Sequence, residues 1–224
     1  GSNMDKKDVT VYINGEEAAA ASVDLKKSND TKIGSKAYDD DNGTNGNGVL
    51  TEAFYNADNN TAIITHINTY YGEVAKTVAA SASKDKHIVI DPDGGTMKPT
   101  LKSGESFNRD FETEVKFEDD AIVGYTYSVS ANEIKSVKVA ETAEGVVTEA
   151  RNAKDEYYDA ASIAFDGTVY KAAKKFIDNS EVGSNMLKGT YKVYLDQYGY
   201  MLSVEEVSEL SGNYALLTQA APHS

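Results

Sequence analysis

Alternating apolar and polar residues dominate this chain and predict short β-strands. In the stretch FETEVKFE, residues 111–118, every second residue is charged. This period of two predicts a half-buried strand with Phe111, Val115 and Phe117 facing inward. The same period recurs in residues 123–130 and 200–205.

Helical periods are rare and short. Residues 16–22 and 155–164 contain good helix formers, but each stretch is long enough for only one or two turns. Turn signals are clearer. Asn14-Gly15 follows an apolar alternation, and Asp166-Gly167 separates two apolar runs. Both pairs predict type I′ hairpins, because that turn requires positive φ at its two central residues.

One sequence phrase occurs three times along the chain. Each copy predicts a hairpin, then a short stretch that is often acidic, then a glycine that opens a new strand. The copies are residues 53–78, 124–150 and 190–217, and their glycines are Gly72, Gly145 and Gly212. The spacing of about 70 residues predicts a tandem array of small β units rather than one domain around a single pocket.

These observations predict an all-β fold of tandem small barrel-like units, OB-like or SH3-like, with about five strands each and few short helices. An elongated sandwich is the alternative. We interpret residues 1–4 as a cloning scar and residues 5–71 as a first, atypical unit. Residues 72–144 and 145–211 form the second and third units, and residues 212–224 start a further unit or a tail. The chain is therefore expected to be a segment of a longer array.

Composition narrows the classes of partner. There are 22 Lys and Arg against 36 Asp and Glu, giving a net charge of −14. Such a chain repels phosphate backbones, so we expect no nucleic-acid partner. No apolar run approaches the ~18 residues that a membrane-spanning helix needs, so we expect no membrane insertion. The chain contains no cysteine, which excludes disulfides, thiolate metal sites and cysteine nucleophiles.

The acidic, glycine-rich stretch around residues 39–48 is a candidate calcium loop. A twelve-residue frame places Gly46 at its sixth position, where calcium loops make a sharp bend. The third position is Gly43, which offers no side-chain ligand. The candidate ligands are Asp41, Asn45, Asn47 and Glu52. The alternative is a solvated hairpin loop that binds no metal.

Candidate catalytic groups are scattered. A glycosidase needs two carboxyls that face each other, whereas the candidate aspartates lie at turns: Asp91, Asp93, Asp119 and Asp120. The three histidines lie in two predicted strands and a tail: His66, His87 and His223. We assign no catalytic residue and no cofactor, and predict that the chain is not an enzyme.

Tyrosine is abundant, with 15 residues, whereas tryptophan is absent. Exposed tyrosines can stack on sugars or anchor protein contacts. They are also frequent in strands because they pack well across neighbouring strands. The main groups are Tyr70-Tyr71, Tyr125 with Tyr127, Tyr157-Tyr158, and Tyr198 with Tyr200.

Five stretches carry a resemblance to a known family: INTYYGEV at 67–74, FET at 111–113, IVGYTYS at 122–128, EIKSV at 133–137 and YLDQYGYM at 194–201. They resemble the non-anchoring region of S-layer homology domain-containing surface proteins of Firmicutes. Nothing here is similar to the helical wall-binding modules of that family, so their activity is not carried over.

The resemblance implies an extracellular location at the bacterial cell wall. We expect a non-catalytic structural or display segment whose partners are other segments of the same protein. The alternative is an adhesin module that binds cell-wall glycan or a host protein, and a third reading is a hydrolase domain.

Overall fold

The computed structural model describes residues 9–18, 48–92, 99–152, 160–176 and 182–207. These residues form fifteen strands and one short 3₁₀ turn, Ser184–Met186, with no α-helix among them. The predicted all-β class is confirmed. The strands are β1 (Val9–Ile13), β2 (Glu16–Glu17), β3 (Leu50–Asn56), β4 (Thr61–Ile67), β5 (Tyr70–Val78), β6 (His87–Pro92), β7 (Asp110–Glu112), β8 (Ile122–Ser128), β9 (Glu133–Val139), β10 (Glu141–Val146), β11 (Glu149–Arg151), β12 (Ser162–Phe165), β13 (Thr168–Lys171), β14 (Thr190–Leu195) and β15 (Met201–Glu206).

The strands form four sheets. The chain enters the first three in turn, and the fourth is formed by the segment between β10 and β14 of the third. The first sheet has the order β2-β1-β4-β3, and its β1–β4 pair is parallel. The second has the order β7-β6-β5-β8-β9. Its end strands β7 and β9 lie close together, so this sheet nearly closes into a barrel. The third and fourth sheets have the orders β10-β14-β15 and β11-β12-β13.

Separate hydrophobic clusters accompany these sheets. The second sheet encloses a core that includes Tyr70, Ile88 and Tyr125. The third and fourth sheets share one core, to which β12 and β15 both contribute. The first sheet has the smallest cluster among the described residues, centred on Val11 and Ile64.

The repeated phrase corresponds to a hairpin that precedes a change of sheet. Antiparallel hairpins β3–β4, β8–β9 and β14–β15 form in the three copies, as predicted. After the first two hairpins the chain enters β5 and β10, which belong to the next sheet. Only residues 68–69 separate β4 from β5, and only Ala140 separates β9 from β10. The division into units at residues 72 and 145 stays a prediction.

Two of the three repeated glycines lie inside strands rather than opening them, and the third, Gly212, lies outside the described residues. Gly72 is the third residue of β5, and Gly145 is the fifth residue of β10. A Cβ atom at Gly145 would lie 2.6 Å from Phe165 Cδ2, and one at Gly72 would lie 2.9 Å from Ile90 Cγ2 and 3.2 Å from Tyr125 Cε1. The glycines therefore let large side chains pack directly over the strand backbone.

The strand predicted at residues 111–117 is shorter than expected. It ends at Glu112, and Val115 is 62% exposed, so its inward placement was wrong. The Thr113 hydroxyl accepts a hydrogen bond from the Val115 backbone N–H at 3.1 Å, which bends the chain away from the ladder. Phe117 is buried as predicted.

The two predicted helical stretches contain strands and no helix in the parts that the structure describes. Glu16–Glu17 forms β2, and residues 162–164 lie in β12. Pairing with β1 and β13 therefore overrides local helix propensity. Within the described ranges, no helix is long and apolar enough to cross a membrane.

Both predicted type I′ turns are confirmed by their backbone angles. Asn14 and Gly15 have φ of 50° and 80°, and Asp166 and Gly167 have φ of 52° and 76°. Asn and Asp tolerate the left-handed region better than other residues that carry a Cβ, which explains these sequence pairs.

Candidate functional site

The first and second sheets meet at a polar joint centred on Asn14. This buried side chain donates a hydrogen bond from Nδ2 to the Tyr70 hydroxyl at 2.7 Å, and its Oδ1 accepts one from the Asn68 N–H at 2.9 Å. The Asn14 N–H donates to the His66 carbonyl, and the Asn14 carbonyl accepts from the Val129 N–H, both at 2.8 Å. One turn residue of the first sheet is thus hydrogen-bonded to the link and to the second sheet.

The polar joint continues into the core of the second sheet. Tyr70 stacks on Tyr125 with ring centroids 5.6 Å apart. Burial raises the pKa of both hydroxyls, and the hydrogen bond from Asn14 partly offsets this rise at Tyr70. Both tyrosines are therefore neutral packing residues.

His66 lies fully buried beside this joint. Its Nδ1 is 2.9 Å from the Thr51 hydroxyl on the neighbouring strand β3. Burial lowers the pKa of His66 to about 4, so the imidazole is neutral near pH 7. His87 is also buried, with Nδ1 2.9 Å from the Asp85 carbonyl, and His223 lies outside the described residues.

The second and third sheets meet at an apolar joint. Tyr71 and Tyr194 contact edge to face, with centroids 6.2 Å apart. Leu202, from β15, is fully buried in the same cluster with Ala140 and Ala173. A Cβ atom at Gly124 would lie 3.2 Å from Leu202 Cδ1. Glycine at this position therefore permits close approach of the two sheets.

Hydrogen bonds orient Tyr194 within the apolar joint. Its hydroxyl donates to Glu205 Oε1 at 2.7 Å, and Lys192 Nζ lies 2.8 Å from the same oxygen. The Lys192 ammonium also lies 4.7 Å from the centroid of the Tyr194 ring. This arrangement holds the ring edge-on to Tyr71.

The β14–β15 turn is organised by Asp196. Its Oδ1 accepts hydrogen bonds from the backbone N–H groups of Tyr198 at 2.8 Å and Tyr200 at 2.9 Å. Its buried Oδ2 has no hydrogen-bond partner among the described residues. A Cβ atom at Gly48 would lie 2.1 Å from this oxygen, so the turn packs against the chain just ahead of β3. Burial raises the pKa of Asp196, and the backbone N–H groups partly oppose the rise.

A polar cleft of about 140 Å³ lies beside the apolar joint. One wall is the outer face of the β8–β9 hairpin, and the other is the β14–β15 turn. Hydroxyl, amide and charged groups predominate among its lining residues: Thr69, Gly124, Thr126, Ser136, Lys138, Val139, Glu141, Leu195, Asp196 and Gln197.

Three predicted calcium ligands, Asp41, Asn45 and Asn47, lie outside the described residues. The fourth, Glu52, is exposed on β3 and pairs across the strands with Thr65. Within the described part of the chain, no three His, Asp or Glu side chains form a group that could hold a metal. The calcium loop stays a prediction.

The aspartates considered for acid–base chemistry are not brought together. Asp91 lies in β6, 3.1 Å from Arg109 Nη2, and Asp93 lies outside the described residues. Asp119 and Asp120 are exposed at a turn, where Asp120 has a φ of 63°.

Sequence reasoning missed Asp196 and the joint role of Asn14. Asn14-Gly15 was recognisable as a turn. The hairpin turn in the third copy of the phrase contains Asp196, Gln197, Tyr198 and Gly199. Nothing in the local pattern distinguishes a turn that packs against another sheet from one that faces solvent.

Comparison with known proteins leaves the function to be inferred from these features. No protein-family model, curated protein or solved structure matches the chain. The function is therefore inferred from the two joints, the Asp196 turn and the polar cleft.

Proposed function

We propose that this chain is a non-catalytic structural or display segment of a bacterial cell-surface protein of the S-layer type. It lies outside the cell, in or on the wall, and its main partners are other segments of the same protein. It acts as a spacer that fixes the distance and orientation between other segments of the same protein. The −14 charge keeps such a segment soluble and discourages self-association.

The observation that carries this proposal is the serial order of the sheets together with the joints between them. The chain finishes the hairpin of one sheet and passes to the next through one or two residues. Such short links leave little freedom between neighbouring sheets.

Both joints are built from groups that lose their partners if the sheets separate. At the polar joint, separation exposes the hydrogen bonds of Asn14. At the apolar joint, it exposes the contact between Tyr71 and Tyr194 and the buried Leu202. A series of sheets joined in this way resists bending, which is the property that a spacer needs.

An antibody raised against the purified chain tests the location. In the source organism, we expect intact cells to be labelled, and mild protease treatment of intact cells to remove the signal. A cytosolic marker, labelled only after lysis, is the control. If this chain also becomes labelled only after lysis, the surface proposal is wrong, whatever the mechanical properties of the joints.

A second candidate function, an adhesin module for glycan or protein, is favoured by the polar cleft. The hydrolase alternative is less well supported. Glu141 and Asp196 both line the cleft, but one Asp196 oxygen accepts two backbone hydrogen bonds and the other is buried against Gly48. Neither oxygen is placed to exchange a proton with a bound substrate.

A further inference from the structure

We propose that the cleft beside the apolar joint binds one sugar residue of a neutral polysaccharide. The site is formed where the outer face of β8–β9 meets the β14–β15 turn, so it exists only when the second and third sheets are docked. This inference goes beyond the spacer role, since a spacer requires no ligand.

The first wall offers hydroxyl groups at a fixed spacing. Thr126 and Ser136 are cross-strand partners, and their hydroxyl oxygens are 2.7 Å apart. The pair Gly124 and Lys138 lies next to them on the same face. A hydroxyl both donates and accepts hydrogen bonds, and an ammonium only donates. This mixture matches the hydroxyl groups of a sugar, which also act in both ways.

The second wall offers an amide, and the residue that follows it in the chain carries an exposed ring. Gln197 lines the cleft, and the adjacent Tyr198 is 43% exposed. Asp196 holds the backbone of the turn by accepting hydrogen bonds from the Tyr198 and Tyr200 N–H groups. The turn is thus organised before any ligand binds, which lowers the entropic cost of binding. The exposed ring on the residue after Gln197 offers an apolar surface for the C–H face of a sugar.

Size and charge restrict the ligand. A cleft of about 140 Å³ is smaller than the roughly 300–1,000 Å³ of pockets that hold drug-sized ligands, so it fits a single ring rather than a long segment. Lys138 is accompanied by two acidic residues, Glu141 and Asp196, and the whole chain carries −14. Phosphate, sulfate and uronic acids are therefore disfavoured. An apolar ligand would displace water from the polar lining without replacing the hydrogen bonds of that water.

Titration of the full ¹⁵N-labelled chain with glucose, galactose and N-acetylglucosamine, followed by amide chemical shifts, tests the site. We expect at least one of these sugars to shift the amides of Gly124, Thr126, Lys138, Gln197 and Tyr198 in a saturable manner. Sodium sulfate and a neutral dipeptide are the competing probes. No saturable shift by any sugar, or stronger shifts at these amides with sulfate or dipeptide, would overturn the inference.

Variants of the turn supply the second part of the test. Gln197→Ala and Tyr198→Ala change exposed side chains and leave Asp196 and Gly199 in place, so the dispersed amide spectrum should persist. We expect each to weaken binding of the responding sugar about fivefold, the loss expected for one hydrogen bond or one ring contact. Tyr55→Ala is the matched control, because it removes an exposed tyrosine from a different part of the chain, strand β3. If the control weakens binding equally, or if neither turn variant weakens it, the sugar does not occupy this cleft.

Discussion

At the residue scale, several buried polar side chains lie where two parts of the chain meet. Asn14, His66 and Asn68 occupy the polar joint, and Asp196 lies against Gly48. Burying a polar group costs free energy unless it is hydrogen-bonded. The hydrogen bonds of Asn14 therefore favour one docking geometry of the first two sheets, because separating these sheets would break them.

His66 makes stability depend on pH. Its folded-state pKa of about 4 lies below the ordinary value of 6.5, so the unfolded chain binds the proton more tightly. The contribution of neutral His66 is complete above pH 6.5 and is lost as the pH falls toward 4. Between pH 7 and pH 5 we expect the free energy of unfolding to fall by about 2 kcal/mol on account of this residue.

Urea unfolding of the wild type and of His66→Gln at both pH values isolates this effect. The variant should lack this pH-dependent loss, whatever its absolute stability. The wild-type curve alone is insufficient, because the raised pKa of Asp196 acts in the opposite direction: stability falls as Asp196 ionises with rising pH. Equal pH dependence in the two proteins would contradict the neutral, buried state of His66.

At the element scale, glycine inside a strand has a specific packing role in this fold. Gly72, Gly124 and Gly145 all lie in strands, and each is approached by side chains from other strands. Glycine weakens a strand locally because it has no side chain to pack and a large unfolded-state entropy. Here the close approach of Tyr125, Leu202 or Phe165 compensates for that cost.

Replacing Gly145 with alanine tests this role. The new Cβ would lie 2.6 Å from Phe165 Cδ2, so the ring or the strand must move. We expect the free energy of unfolding to fall by about 1–3 kcal/mol, the usual cost of overpacking a core. Chemical denaturation measures the change.

Glu144→Ala is the control for Gly145→Ala. It lies one residue earlier in the same strand, is exposed, and faces the other side of the sheet. Its effect should stay within about 0.5 kcal/mol. An alanine at position 145 that is as harmless as the control would show that Phe165 has room to move, and the packing explanation would fail.

At the scale of the whole molecule, the two joints differ in chemistry. The first uses hydrogen bonds of one asparagine to residues of the link and the second sheet, whereas the second uses aromatic and aliphatic packing. Hydrogen bonds are directional and set an angle, and apolar burial resists separation without much directional preference. In a chain with both kinds of joint, hydrogen bonds fix the relative orientation of neighbouring sheets, and apolar contacts oppose their separation.

Asn14→Gly tests the polar joint. Glycine keeps the left-handed backbone at this position without strain and removes only the side chain. Because the lost side chain bonds both Tyr70 and the Asn68 N–H, we expect the joint to open more often. The amides of Asn68 and Val129 should then exchange with solvent about tenfold faster.

The amide of Ile163 is the internal control for Asn14→Gly. It lies in β12, in the shared core of the third and fourth sheets, and its exchange should not change. Unchanged exchange at Asn68 and Val129 would mean that the joint does not depend on the Asn14 side chain. Faster exchange at all three amides would instead indicate a global loss of stability.

The local sequence pattern was sufficient to predict the all-β class, the type I′ turns and the three hairpins. Strand alternation and turn residues act within a few positions, so residues such as Asp166 and Gly167 specify their own conformation. Where a period or propensity rule failed, as at Val115 and at Glu16–Glu17, hydrogen bonds to nearby residues overrode it. The predicted calcium loop depends on residues outside the described ranges and stays untested.

Only the tertiary structure decided which turns become joints and where a cleft forms. Asn14 bonds to Tyr70 across 56 positions of sequence, and Asp196 meets Gly48 from the other end of the chain. Such partners share no periodicity, because contacts between sheets depend on how strands pack in space rather than on spacing along the chain. The sequence shows where each glycine is, but only the assembled sheets show which side chain packs over it.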